Sequence, residues 1–432
     1  MSLNGLDFGM KSLSDSTSAF QKALNAAIAQ QQPLFVPKGI YIINSGIVKV
    51  KIPSGKSLVL YGDGVETVFK RKDKSITKDG QKLIEISSDK GSVPRVELHS
   101  FSIDGNARMN PLPAGTTDTY LWEHCANIQI KGFLGAKIMD VIIHDITAFD
   151  PVADHILFPG YTNCYIDNAH IYNFNGFDRN RTRSDITITG GMRQLLIENS
   201  TATRIESELN DPYDEGVCKI IVNNCVVTSR LDIVGKNKSD GSVTLEFRGS
   251  QITANDINFH MIKGSLINST VDMTFPGMTR VNNLQGFVFD NILFKIEVDS
   301  KGTIIAPLTF YPYDDNNITI QNSTFAVNNN DPLLSPDGFV IVLRARSGTS
   351  ISMSYKIVNC TFDARLKYNM DINRSDTVVL ENNKYSGSVY SVSVYSSSSS
   401  PVRLTIIGGD MSAVKGQFLN IKKSDGLILV RK

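Results

Sequence analysis

Acidic residues, arginines and one histidine gather in two stretches of this 432-residue chain. The first runs Asp150, Asp154 and His155, then Asp178, Arg179, Arg181, Arg183 and Asp185; the second runs Arg204, Glu206, Glu208, Asp211, Asp214 and Glu215. Two carboxyl groups held roughly 5–10 Å apart can act as acid and as base or nucleophile, which is what glycoside hydrolysis requires. In that chemistry Asp154 and Asp185 are the expected catalytic pair, with Asp178 and Glu206 as alternates. His155, Arg179, Arg183 and Arg204 would bind an acidic or hydroxyl-rich sugar, because a guanidinium matches a carboxylate in a bidentate fork. The competing reading is structural: acids and arginines in turns are commonly solvated, bonded to backbone amides or paired within their own loop. A long insertion, Ala107 to Cys125, adds Tyr120 and the only tryptophan, Trp122. They form either an aromatic rim that stacks on a sugar or a loop folded down with Trp122 buried. Tyr311, Tyr313, Asp314 and Asp315 make a second aromatic and acidic turn, a candidate distal subsite. His99, His144, His170 and His260 fall inside strand-like runs and read as structural, so that His155 alone neighbours the acidic cluster.

Carboxylates this far apart in sequence need a scaffold that brings successive segments together. Short runs rich in Val, Ile and Leu recur, each carrying Asn or Asp where the strand must turn: Val141 to Ile146, Cys164 to Ala169, Leu195 to Ser200, Ile220 to Cys225, Ile318 to Ser323, Tyr355 to Cys360 and Thr377 to Asn383. A spacing of roughly 20–30 residues is that of a structural repeat. One coil cannot bury its own apolar side chains, whereas stacked coils share a continuous core with parallel strands about 4.8 Å apart. Asn suits the turn because it tolerates a left-handed backbone, and stacked amides can bond along the ladder. Separate β-sandwiches are the rival reading, disfavoured by the scarcity of Asn-Gly hairpin turns. In the solenoid alignment Asp154, Asp185 and Glu206 are expected on successive strands of one outward face, and Asp150 near Asn173 and Arg204. From Pro33 onward the repeat gives roughly 13–16 coils. Ahead of them, Ser16 to Gln31 reads as a helix, with Asp15 or Ser16 as N-cap and Phe20, Ala23, Leu24, Ala27 and Ile28 on one apolar face. The serine run Ser396 to Ser400 reads as a loop between late coils.

Composition narrows the classes. Lys plus Arg number 44 and Asp plus Glu 43, a formal net charge of +1, so no bulk attraction to polyanions is built in. With 41% hydrophobic and 20% charged residues, extensive disorder is excluded. The five cysteines are scattered without CxxC spacing, which argues against a disulfide framework and structural zinc. No run of about 18 apolar residues and no signal-like segment is present, so a soluble chain is expected, intracellular or exported without a signal peptide. The opening Met1-Ser2-Leu3 is compatible with an upstream region missing from this chain. Neither a nucleophile elbow nor a Cys-His pairing nor a Gly-rich phosphate loop is visible.

Leu6-Asp7-Phe8-Gly9, the segment Asp15 to Leu24, and Val36-Pro37-Lys38-Gly39-Ile40-Tyr41 together resemble the opening motif of the pectate-lyase-like right-handed β-helix superfamily. Phe101-Ser102-Ile103-Asp104-Gly105-Asn106 resembles that family's early-coil DGN phrase. The resemblance implies an all-β fold: a right-handed single-stranded parallel β-helix, residues 33–432, behind an N-terminal lead-in and capping helix, residues 1–32. Loop insertions fall near 105–126, 174–184 and 205–216. In style the chain is similar to bacteriophage tailspike and appendage proteins. That likeness implies a homotrimer, extracellular or virion-associated, acting on a bacterial surface or extracellular polysaccharide, with no nucleic acid and no membrane insertion. Carboxylate-catalysed hydrolysis without a cofactor is the first expectation. A lyase of the same fold, with Asp211, Asp214 and Glu215 holding Ca²⁺, is the second, and a glycan-binding spike without catalysis the third. The polygalacturonase-like branch carries Asn-Thr-Asp, Asp-Asp, Gly-His-Gly and Arg-Ile-Lys motifs. None is intact here, the nearest echoes being Asp154-His155 and Ser184-Asp185-Ile186.

Overall fold

The computed structural model of the chain describes residues 1–116, 121–132, 135–159, 165–177, 184–211, 218–235, 243–253, 256–274, 278–297, 308–310, 316–328, 339–344, 353–364, 368–373, 377–387, 390–396, 401–414 and 417–432. They form a parallel β-helix, in two compact units, Met1–Cys225 and Val226–Lys432, each a stack of parallel strands. In the first unit Leu34, Leu60, Leu98, Ile143, Ile171, Ile197 and Val222 lie in register on successive coils, all without exposed surface. Alternation places every second side chain inward, and each fully buried aliphatic contributes roughly 1.5–3 kcal/mol. The second unit uses an aromatic ladder instead. Phe294, Phe325, Phe362 and Tyr385 stack with ring centroids 4.7, 4.9 and 5.2 Å apart.

The helix spans Thr17–Gln30 and buries Phe20, Ala23, Leu24, Ala27 and Ile28, the face expected from the sequence. Ser16 is the N-cap residue, but the capping bond comes from Asp15, whose Oδ1 accepts from the Thr17 amide at 3.1 Å and the Thr17 hydroxyl at 2.6 Å. Phe20 stacks on Phe69 of strand Thr67–Arg71 at 4.8 Å. Thr17 Oγ1, Gln21 Oε1 and Gln31 Oε1 accept from the backbone amides of Asn44, Lys49 and Ser57. The helix therefore covers the end of the apolar column and satisfies strand-edge amides that would otherwise template another chain.

Asn, Asp and Ser residues hold the left-handed turns: Ser100, Asp145, Asn173, Asn199 and Asn224 in the first unit, and Asn268, Asn291, Asn322, Asn359 and Asn382 in the second, with φ between 48° and 58°. Their side chains bond coil to coil, Asn173 Nδ2 to Asp145 Oδ1 at 2.9 Å and Asn224 Nδ2 to Asn199 Oδ1 at 2.6 Å. One coil of the sequence alignment needs correction. Val141 pairs with Ala169 and His144 with Tyr172, so Asp145 stacks on Asn173, and Asn168 is a strand residue within Ile166–Tyr172. Asp150 accordingly does not meet Asn173; its carbonyl accepts from the Ala107 amide, and its backbone presses against Gly105 so closely that a Cβ there would sit 2.5 Å from the Asp150 oxygen. That approach is the structural reason for glycine in the DGN phrase. On either side of the serine run, strands Tyr390–Ser396 and Val402–Ile407 continue the second unit.

Candidate functional site

Strands Ile128–Lys131, Ile156–Phe158, Ile186–Gly190 and Thr201–Asp211 form one stack in the first unit. Ile128, Ile156, Ile186 and Ile205 are its inward column. That register sets the candidate acids at three different places. Glu206 lies within the strand, opposite Thr187. Asp185 immediately precedes Ile186, and Asp154 is two residues before Ile156. They do not share a single outward column as the sequence alignment suggested: relative to the paired inward residues Ile156, Ile186 and Ile205, Asp154 stands two residues before, Asp185 one before and Glu206 one after.

Asp185 and His155 point inside the coil and have no exposed surface. The Cβ that Gly176 lacks would meet the Asp185 carboxyl carbon at 2.6 Å. Asp185 Oδ2 accepts from the backbone amides of Thr203 and Arg204. Its Oδ1 faces His155 Nε2 at 3.5 Å. On its other side, His155 Nδ1 lies 2.8 Å from Asn127 Nδ2. Asn127 Oδ1 accepts from Arg71 Nη2 at 3.1 Å, which fixes the amide orientation. The amide NH₂ therefore donates to His155 Nδ1, and the imidazole proton sits on Nε2, facing Asp185. Burial, with a smaller contribution from the Arg71 charge, pushes the His155 pKa down to about 3, so the ring is neutral at ordinary pH. Arg71 is itself fully enclosed and also donates to Ser45 Oγ and to the carbonyls of Gln81, Cys125 and Ala126. Burial brings its pKa down to about 10, so it remains a cation. Arg71, Asn127, His155 and Asp185 thus form a polar ladder through the interior, hydrogen-bonded from Arg71 through Asn127 to His155, with the Asp185 carboxyl group facing the imidazole at 3.5 Å. Strand Thr67–Arg71 carried the signal: alternation puts Thr67, Phe69 and Arg71 on one inward face.

Nearer the surface, Ser184 joins the other two acids. Its amide donates to Asp154 Oδ1 at 3.2 Å, and its hydroxyl donates to Glu206 Oε2 at 2.6 Å. Arg204 Nη2 holds Glu206 Oε1 at 2.6 Å. Asp154 is 8% exposed, while the side chains of Glu206 and Arg204 are each 14% exposed. Because one serine contacts both carboxylates, their bonded oxygens are at most about 9 Å apart, a separation that suits a pair of hydrolytic carboxyl groups. Sequence reasoning gave no role to Ser184, whose position is set only by coil register.

Trp122 is 7% exposed and packs with Ile76, Cys125 and Ala153, so the folded-down alternative applies and its ring offers no open stacking face. Tyr120, Asp178, Arg179, Arg181, Arg183, Asp214, Glu215, Tyr311, Tyr313, Asp314 and Asp315 lie outside the described residues, as do the side chains of Glu208 and Asp211. Of the other histidines, His124 pairs with Asp79 at 2.6 Å and His170 with Glu198 at 3.0 Å.

Comparison with known proteins supports the fold. No family model matches the chain, and none of the curated proteins is a significant match. Among solved structures, the A-module of the Azotobacter vinelandii mannuronan C-5 epimerase AlgE4 is similar with a TM-score of 0.53 and 14% identity, over 98% of this chain and 98% of that one. The pre-mature gene product 12 of bacteriophage phi29 is similar with a TM-score of 0.52 and 16% identity, over 96% of this chain and 57% of that one. The chain thus spans little more than half the length of that phage protein. Among the described residues no helix is long and apolar enough to cross a membrane.

Proposed function

We propose that the chain is a polysaccharide-degrading enzyme, extracellular or virion-associated, that hydrolyses a bacterial surface or extracellular glycan on the flank of its β-helix. The observation that carries this reading is the pair of carboxylates, Asp154 and Glu206, joined through Ser184 beside Arg204. Among the described acids expected to react, Asp185 has no exposed surface. In the proposal it positions rather than reacts: it grips the amides of Thr203 and Arg204 and so fixes the segment leading to Glu206. Asp154 serves as acid toward the leaving oxygen, and Glu206, ion-paired with Arg204, as base or nucleophile. The two similar folds lend support, one belonging to an enzyme named for mannuronan and the other to a phage protein. The homotrimer implied by the tailspike resemblance belongs to this reading.

The test is release of new reducing ends from purified capsule, lipopolysaccharide and wall glycan. Asp154→Asn and Glu206→Gln are each expected to lower the rate about 100-fold or more while leaving glycan binding intact. Undiminished cleavage by both variants overturns the assignment. Binding with no new ends by the unaltered chain makes it an adhesin, and a new absorbance from an unsaturated product makes it a lyase.

A further inference from the structure

On a different stack of strands in the first unit, two histidines and a glutamate converge. Strands Val93–Asp104 and Ile138–Phe149 pair in parallel with His99 opposite His144 and Glu97 opposite Ile142. Glu97 and His99 alternate with the inward Val96 and Leu98, so both side chains point outward. The two imidazoles stack with centroids 4.5 Å apart and planes 6° from parallel. Tyr61 continues the stack beyond His99 at 5.2 Å and Tyr172 beyond His144 at 4.5 Å.

The other partners orient the nitrogens. His144 Nδ1 lies 2.7 Å from Asp145 Oδ2, and His99 Nδ1 lies 3.0 Å from Ser100 Oγ. Asp145 and Ser100 both adopt the left-handed backbone, φ 52° and 58°, which folds their side chains back onto the preceding rings. A carboxylate only accepts, so His144 Nδ1 carries a proton and the lone pair of the neutral ring is on Nε2. That Nε2 faces Glu97 Oε1 at 3.3 Å. Arg95 anchors the other carboxylate oxygen, Oε2, at 2.6 Å and leaves Oε1 directed at the rings. Two acceptors in apposition need a proton or a cation between them. One ligand atom from each of Glu97, His99 and His144 lies within 4.8 Å of the other two.

We infer that Glu97, His99 and His144 form a binding site for a borderline divalent cation of the zinc class. Two imidazole nitrogens and one carboxylate oxygen are the donors such an ion prefers, with a fourth position open to water or a ligand. Ligation at about 2.0–2.2 Å requires the rings to tilt toward each other from their stacked planes. Asp145 acts as an outer partner that fixes the His144 tautomer, and Ser100 as one that orients the His99 ring. The charged groups facing the site are Arg95, Glu97 and Asp145.

The test is calorimetric titration of the chelator-treated, dialysed full chain with ZnCl₂ near neutral pH, alongside visible spectra with Co²⁺. One saturable equivalent of micromolar or tighter affinity is expected, with the intense d–d bands of a four-coordinate cobalt site. His144→Ala, and separately the milder His99→Asn, should weaken binding at least 10-fold, and Asp145→Asn should weaken it less. Circular dichroism on each variant reports whether it is folded. Absence of saturable Zn²⁺ binding to the unaltered chain overturns the site. So does binding that survives both histidine substitutions and disappears with His124→Ala, which would assign the ion to the Asp79–His124 pair.

Discussion

Among the described residues, His155 departs far from the ordinary behaviour of its residue type. Its folded pKa of about 3 lies below the value of 6.5 for a free imidazole. Between those values the unfolded chain binds a proton that the folded chain refuses, so stability falls as pH drops from about 6.5 toward 3. The shift corresponds to up to about 4–5 kcal/mol over the whole window. Denaturant midpoints measured between about pH 7 and 4.5 should fall for the unaltered chain and fall less for His155→Gln. At the other end of the ladder Arg71 is held by carbonyls, a hydroxyl and Asn127, so its side chain is costly to strand or remove. Arg71→Met is expected to destabilise by about 3–5 kcal/mol, because Asn127, His155 and Asp185 lose the cation they are arranged around. Thermal denaturation checks this, and an unchanged midpoint would show that the ladder contributes no stability.

Turns and caps are the elements on which the stack depends. Asn199 sits at φ 48° and accepts from Asn224 Nδ2 across one coil. Asn199→Ala loses both the tolerated left-handed backbone and the coil-to-coil amide bond, for a cost of about 1–3 kcal/mol. Asn199→Gly, which keeps the backbone freedom, should recover part of that loss in the same denaturation series. At Gly249, φ 55°, and Gly408, φ 58°, glycine already takes the corresponding turn. The helix Thr17–Gln30 makes a comparable contribution at the end of the stack. Phe20→Ala opens a cavity over Phe69 and is expected to cost about 3–5 kcal/mol, read as a lowered melting temperature.

For the molecule as a whole, the net charge of +1 conceals local order. Arg204 with Glu206, Arg95 with Glu97 and Arg230 with Asp232 are short pairs, each two residues apart on its strand. The two compact units each carry their own buried column. Trp122 is the single tryptophan and lies in the first unit, whereas backbone circular dichroism reports both units. In denaturant the Trp122 emission change and the loss of β signal are therefore expected at different midpoints. Coincident curves would instead show one cooperative transition for the whole chain.

The solenoid was legible because its physics is local and repeated: alternating apolar residues, a turn residue that tolerates positive φ, and an amphipathic helix ahead of them. Asn199, Asn322, Asn359 and Asn382 could be read as turns from their phrases alone, as could the buried face of the helix. The site was legible only as a neighbourhood. Asp154, Asp185 and Glu206 were found as acids on nearby coils, but which atoms meet depends on register: Asp185 falls opposite Arg204, just ahead of strand Ile186–Gly190, and is enclosed, whereas Glu206 lies two residues further along and stays partly exposed. The pairing of His99 with His144 was hidden for the same reason, since 45 residues of chain separate neighbours that the sheet holds 4.5 Å apart. Sequence alone determined that the chain coils, because each coil must bury its apolar side chains against the next. Only the tertiary structure decided which polar groups face water and which face each other, because that depends on alignment between coils that no single coil encodes.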